Sequence, residues 1–151
     1  MSLKQTITIL GSTGSIGCNA LEVIDGHQDR YSIFALTADK NVEMLFEQCK
    51  QFQPAFAVMT APESAQRLQK LLTSGGYKTE VLTGTEGLKF VASCDEIDCV
   101  LAAIVGGAGL LPGFAAASSG KKILLANKEA LVMAGDLFMQ AVNDSGGTLL
   151  P

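Results

Sequence analysis

The sequence predicts an α/β fold: a doubly wound, mostly parallel sheet with helices on both faces. Three observations carry that expectation. Short apolar or β-branched runs alternate with segments of helical period along the whole chain. The links between them are short, and strict strand–helix alternation with short links implies parallel strands and right-handed crossovers. The first strand also enters a helix through a turn holding three glycines, Gly11, Gly14 and Gly17, the connection that Rossmann-like sheets place against a nucleotide.

The elements follow in order. Residues 6–10 read as a strand. Residues 15–25 read as a helix with Ile16, Ala20, Leu21 and Ile24 on one face. Residues 31–37 form a second strand. Val42, Leu45, Phe46, Cys49 and Phe52 recur at helical spacing and define a helix that ends before Pro54. A third strand over 55–59 leads to a helix over 62–73, with Pro62 near its first turn, where proline is tolerated. Gly75 and Gly76 break it, and 78–82 read as a strand. Residues 84–94 form a weaker helix. Residues 99–105 are almost purely apolar, as expected of a strand covered on both faces. Gly106-Gly107-Ala108-Gly109 is a second glycine-rich turn. A helix over 110–119, a strand over 122–126, a long helix over 129–145 and the start of a strand at 148–150 complete the pattern. The last strand is cut short at Pro151, which suggests the N-terminal part of something longer.

Composition narrows the classes. A chain of 151 residues with 48% hydrophobic and 17% charged residues is one ordinary domain rather than a disordered segment. The net charge of −4 comes with no basic stripe, which argues against nucleic acid as a partner. No apolar run reaches the roughly 18 residues of a membrane span, and the N-terminus shows neither a secretory nor a transit pattern. Cys18, Cys49, Cys94 and Cys99 form no C-x-x-C pair and His27 is the single histidine, so no metal site is expected. Cys18 and Cys49 fall on apolar helix faces and read as buried thiols of a cytoplasmic protein.

The first turn is Gly11-x-x-Gly14-x-x-Gly17 rather than the standard G-x-G-x-x-G. Gly11 makes the tight turn, Gly14 lets backbone approach a pyrophosphate, and Gly17 lets the helix pack closely. Thr13 and Ser15 add hydroxyl donors. A P-loop is excluded, because Ile16-Gly17-Cys18 stands where Lys-[Ser/Thr] would be required.

Three further segments fall on the same sheet edge. After the second strand comes Ala38-Asp39-Lys40-Asn41, where an adenosine ribose would sit. An acidic residue there suits the 2′-hydroxyl of NAD and a basic one the 2′-phosphate of NADP. Asp39 argues for the first, Lys40 with Asn41 for the second, and Asn41 also reads as a helix cap. The 106–109 turn would let backbone approach the middle or nicotinamide half of a dinucleotide. Last, Asn127-Lys128-Glu129 opens a helix. Asn127 suits a cap and Glu129 the first turn, but Lys128 opposes the helix dipole at a cost of about 0.3–1 kcal/mol, which points to an anionic substrate or a developing oxyanion.

Together, residues 11–17, Lys40-Asn41, residues 102–112 and residues 124–132 resemble the 1-deoxy-D-xylulose 5-phosphate reductoisomerases, and the likeness runs from Lys4 to Pro151. The resemblance implies an NADP-dependent oxidoreductase of non-mevalonate isoprenoid biosynthesis. It would convert 1-deoxy-D-xylulose 5-phosphate to 2-C-methyl-D-erythritol 4-phosphate by rearrangement and reduction with NADPH. A divalent metal (Mg²⁺, Mn²⁺ or Co²⁺) would hold the substrate oxygens. By position, Thr13, Gly14, Ser15 and Ile16 would bind the pyrophosphate region, Lys40 and Asn41 the 2′-phosphate, and Asn127 and Glu129 the cofactor near its reactive end. Lys128 would contact the phosphorylated sugar.

The likeness departs at Asp39, where family members often carry glycine. NADPH is still expected to be preferred, because Lys40 and Asn41 are present. The family's Asp-Ser-Glu metal motif follows Leu-Leu-Pro, the point at which this chain stops. Residues 1–151 are therefore expected to be an NADPH-binding domain without the metal-binding and C-terminal helical domains, inactive alone, from an enzyme that is a cytoplasmic homodimer when whole. The competing expectations are another NAD(P)-dependent reductase, such as a relative of aspartate-semialdehyde or homoserine dehydrogenase, and a nucleotide-sensing domain.

Overall fold

In the computed structural model the chain forms one seven-stranded sheet flanked by six α-helices. It describes residues 4–105, 107–126 and 129–150, excluding the side chains of residues 129–134. In chain order the elements are β1 (Gln5–Leu10), α1 (Ser15–Asp25), β2 (Tyr31–Ala38), α2 (Val42–Phe52), β3 (Phe56–Met59), α3 (Pro62–Ser74), β4 (Glu80–Thr83) and α4 (Gly84–Ser93). They continue with β5 (Cys99–Ala102), a 3₁₀ turn (Gly107–Gly109), α5 (Leu110–Ser118), β6 (Lys122–Leu125), α6 (Glu129–Ser145) and β7 (Thr148–Leu150). The strand order is β4-β3-β2-β1-β5-β6-β7, and each neighbouring pair is parallel.

Two cores follow from the two-residue period of the strands. Ile7 and Ile9 of β1 and Ala57 and Met59 of β3 face one side. There they meet Leu21 and Ile24 of α1, Val42, Leu45 and Cys49 of α2, and Leu68 and Leu72 of α3. Leu10, Val58, Val100 and Ile123 face the other side, against Leu88 and Val91 of α4, Ala116 and Ala117 of α5, and Phe138 and Val142 of α6. The expected helices on both faces are thus α1–α3 on one and α4–α6 on the other. The chain winds outward from β1 through β2, β3 and β4, then returns across the sheet to place β5 on the far side of β1.

Three expectations need correction. The strand expected over 99–105 ends at Ala102, paired with Leu10. The reason is its neighbour: β1 stops at Leu10, so after Ala103 N–H donates to Leu10 O at 2.9 Å no carbonyl of β1 remains to continue the ladder. Ile16, expected on the buried face of α1, is 46% exposed. Cys18, expected to be buried, is only half-buried, because it sits one turn into α1 and faces the glycine turn and α2. Its Sγ lies 3.6 Å from Ser12 O and 3.7 Å from Met44 Sδ. Cys49 is buried as expected, and burial pushes its thiol up to about 12.

Candidate functional site

The three glycines of the first turn have different reasons to be glycine. Gly11 has a φ of +85°, and a Cβ there would stand 2.9 Å from Ala103 O. Both conditions exclude a side chain. A Cβ at Gly17 would come 2.3 Å from Gly11 O and 2.6 Å from Ser12 Cα, so α1 packs on its own entry loop only because that position is bare. Gly14 differs: a Cβ there would meet nothing closer than 3.7 Å. The fold does not demand glycine at that position, so its open backbone is available to a ligand. Gly14 is also the N-cap of α1 and supplies no capping side chain, and the first turn of α1 holds no acidic residue. Such a helix start is suited to an anion.

A buried polar network holds this turn. Gly11 N–H donates to Thr37 Oγ1 at 2.8 Å, and Ser12 N–H donates to Thr37 O at 2.8 Å. The Ser12 hydroxyl donates to Gln48 Oε1 at 2.7 Å, while Gln48 Nε2 donates back to Ser12 O at 2.9 Å. Ser12, Thr37 and Gln48 are all buried. The end of β2 and the middle of α2 therefore clamp Ser12, directly after the first glycine, and its buried polar atoms are satisfied.

Above this support lies a cleft of about 620 Å³ at the carboxyl ends of the strands, between the ends of β1 and β5. This is the point where strand order reverses, where open α/β sheets hold their ligands. Thr13, Gly14, Ser15 and Ile16 form one wall, Ala103, Ile104 and Val105 another, and Asp39 and Thr60 an end. Ile16 and Val105, 77% exposed, offer apolar surface to an occupant. Ala108 of the second glycine-rich turn also lines the cleft; Gly106 lies outside the described residues.

The remaining candidates divide. Lys40 and Asn41 are exposed and follow Asp39 directly, beside the cleft rather than in its wall. Asn41 caps α2 by accepting from Met44 N–H at 3.1 Å, so the capping reading of this residue holds. Its amide donors take no part in that cap. The Asp39 carboxylate accepts from the Thr60 hydroxyl. Glu43, in the first turn of α2, pairs with Arg67 of α3 at 2.8 Å. Its carboxyl is held below the usual range by a backbone hydrogen bond and by Arg67. Asn127 and Lys128 lie outside the described residues, as does the side chain of Glu129, whose backbone opens α6. Ala126 N–H donates to Ala102 O at 3.0 Å, which brings the end of β6 to the same sheet edge as the cleft.

Thr37, Gln48 and Thr60 were missing from the sequence-based candidates. Gln48 did leave a signal, as a polar residue inside the apolar stripe of α2 between Leu45 and Cys49. Thr37 was one polar residue near the end of an apolar strand, and Thr60 left no signal. Among the described residues, no group of three His, Cys, Asp or Glu is placed to hold a metal ion, and no helix is long and apolar enough to cross a membrane.

Comparison with known proteins places these features in a family. The model of the 1-deoxy-D-xylulose 5-phosphate reductoisomerase family matches residues 7–135. The 1-deoxy-D-xylulose 5-phosphate reductoisomerases of Nitrosomonas europaea and Nitrosomonas eutropha are 55% and 57% identical over 151 residues. This chain spans 37% of the length of each. Among solved structures, a DOX-P reductoisomerase in complex with NADPH, fosmidomycin and magnesium superposes with a TM-score of 0.95 at 46% identity, covering 97% of this chain and 36% of that one. The Zymomonas mobilis reductoisomerase in complex with NADPH gives 0.93 at 42% identity, over 100% of this chain and 39% of that one. A homoserine dehydrogenase from Thiobacillus denitrificans, at 18% identity and a TM-score of 0.56 over 97% of this chain and 29% of that one, shares the fold alone. Since the family model spans most of the sequence and these reductoisomerases are more than half identical to it from end to end, the chain belongs to the 1-deoxy-D-xylulose 5-phosphate reductoisomerase family.

Proposed function

We propose that this chain is the NADPH-binding part of an enzyme that converts 1-deoxy-D-xylulose 5-phosphate to 2-C-methyl-D-erythritol 4-phosphate in non-mevalonate isoprenoid biosynthesis. The observation that carries the reading is Gly14. It is bare at a helix start facing the switch-point cleft, and no contact among the described residues requires it to be bare. That is the property expected of a backbone site approached by a pyrophosphate. Thr13, Gly14, Ser15 and Ile16 would hold the pyrophosphate with backbone N–H groups and hydroxyls. Lys40 and the amide donors of Asn41 would take the 2′-phosphate. Asn127 and Glu129 would meet the reactive end of the cofactor, and Lys128 the substrate. Bound NADPH supplies the hydride for the reduction that follows isomerisation.

The described residues do not fit the divalent metal of the proposed reaction, since they include no cluster of ligands for it. We infer that residues 1–151 act as the nucleotide-binding domain of a longer cytoplasmic homodimer, with catalysis drawing on parts beyond them; the 37% share of its relatives' length that the chain spans supports this reading. The test is direct. The purified chain should bind NADPH saturably, yet show no NADPH oxidation with 1-deoxy-D-xylulose 5-phosphate and Mn²⁺. Gly14→Ala should leave the melting temperature unchanged and weaken NADPH roughly tenfold, since a methyl would stand where phosphate meets backbone. Turnover by the chain alone would refute the division of labour, and undiminished affinity in Gly14→Ala would refute the phosphate site.

A further inference from the structure

At the far end of the cleft, β2 and β3 stop in register, with Ala38 paired to Met59. Asp39 and Thr60 are the next residue of each strand. Thr60 N–H donates to Ala38 O at 3.3 Å, its hydroxyl lies 3.3 Å from Asp39 O, and the same hydroxyl donates to the Asp39 carboxylate. Both residues line the cleft. Asp39 therefore stands where an acidic residue would accept the ribose 2′-hydroxyl of NAD, but its carboxylate is engaged by the neighbouring strand. On the other side of Asp39, Lys40 and the donors of Asn41 offer the opposite chemistry, suited to a 2′-phosphate. The acidic residue nearest to them on α2, Glu43, is paired with Arg67.

We propose that Thr60 is a specificity-determining residue: its hydroxyl holds the Asp39 carboxylate against the end of β3, which keeps that charge off the 2′-phosphate side and so favours NADPH over NADH. The proposal rests on the NADPH reading above. With its Oδ1 accepting from Thr60, the carboxylate is held at the end of β3 and does not swing as a whole toward the 2′-position, although its second oxygen keeps its acceptor sites. With the hydroxyl removed, the carboxylate rotates freely. It then repels a 2′-phosphate and accepts a 2′-hydroxyl. Thr60 acts through Asp39 and is a positioning residue in that sense. Its effect belongs to the ratio of the two affinities rather than to either alone.

The experiment is a titration of the purified protein with NADPH and with NADH, read by fluorescence of the nicotinamide, for wild type, Thr60→Val, Thr60→Ser, Asp39→Gly and the double variant Asp39→Gly/Thr60→Val. The expected result is an NADPH preference in wild type that falls roughly fivefold in Thr60→Val. Thr60→Ser, which restores a hydroxyl, keeps the wild-type ratio. Asp39→Gly raises the ratio, and adding Thr60→Val to it changes nothing. A Thr60→Val protein that loses affinity equally for both dinucleotides overturns the proposal. So does a Thr60→Val substitution that shifts the ratio as much in the Asp39→Gly background as in wild type. A wild type that binds neither dinucleotide overturns the NADPH reading and this inference together, whereas a selective wild type with an unmoved Thr60→Val overturns this inference alone.

Discussion

The glycine turn and the link after β2 border one cleft but are built on opposite terms. In the turn, identity is dictated by backbone. Gly11 and Gly17 are bare because carbonyls and Cα atoms stand within 3 Å of where a Cβ would go, and Ser12 is gripped by three hydrogen bonds through its N–H, hydroxyl and carbonyl. In the link, Asp39, Lys40 and Asn41 are exposed, and the side chains of Asp39 and Asn41 each accept one hydrogen bond from a described residue. The difference teaches how such a site divides its tasks. On the proposed reading, the feature every dinucleotide shares, a pyrophosphate, would be met by a backbone whose shape Gly11 and Gly17 fix. The feature that separates one dinucleotide from another would be met by exposed side chains, of which Asn41 also caps α2.

The largest effect that tests this contrast belongs to Gly17→Ala. A methyl 2.3 Å from Gly11 O must push α1 off its entry loop, at a cost of about 3 kcal/mol. Urea denaturation should show that loss together with a loss of NADPH binding. A variant that is both stable and binding would mean that the loop yields, and the contrast would weaken. Next comes Gln48→Leu. It leaves the buried carbonyl and hydroxyl of Ser12 without their α2 partners, worth about 2 kcal/mol of stability by the same measurement. Equal stability to wild type would remove α2 from the support of the turn. The smallest effect lies in the link. Lys40→Ala should leave stability unchanged and weaken NADPH roughly fivefold while NADH binding stays constant. Added salt should shrink the difference between the two proteins, because the charge is exposed. A parallel loss of NADH would place Lys40 on a feature common to both cofactors.

The order and type of the elements were legible because each is written locally. The period of Val42, Leu45 and Cys49 marked out α2, and the alternation of strand and helix implied parallel strands before any pairing was known. The glycine turn was legible for the same reason, since a strand, three spaced glycines and a helix form one contiguous stretch. What stayed hidden depended on neighbours far along the chain. The apolar run 99–105 reads as strand to its end, but β5 stops at Ala102 because β1, some ninety residues earlier, turns away at Gly11. Ile16 fits the apolar stripe of α1 by spacing, yet the first turn of a helix at the sheet edge has no layer beneath it, so Ile16 faces the cleft. The partner of the Asp39 carboxylate is Thr60, 21 residues away and just past the end of β3.

The sequence by itself determined the alternating α/β architecture, the position of the glycine turn between its first strand and helix, and the cluster of charged and polar residues after the second strand. Hydrophobic period, glycine spacing and charge are properties of short segments, and short segments carry them wherever they are folded. Only the tertiary structure separated the three glycines into two that the fold requires and one left open to a ligand. It also revealed Thr37 and Gln48 beneath the turn, and it set Asp39 against Thr60 rather than against a ribose. Those outcomes turn on distances of about 3 Å between residues that the chain brings together only by winding outward from β1 and returning to place β5 at its side.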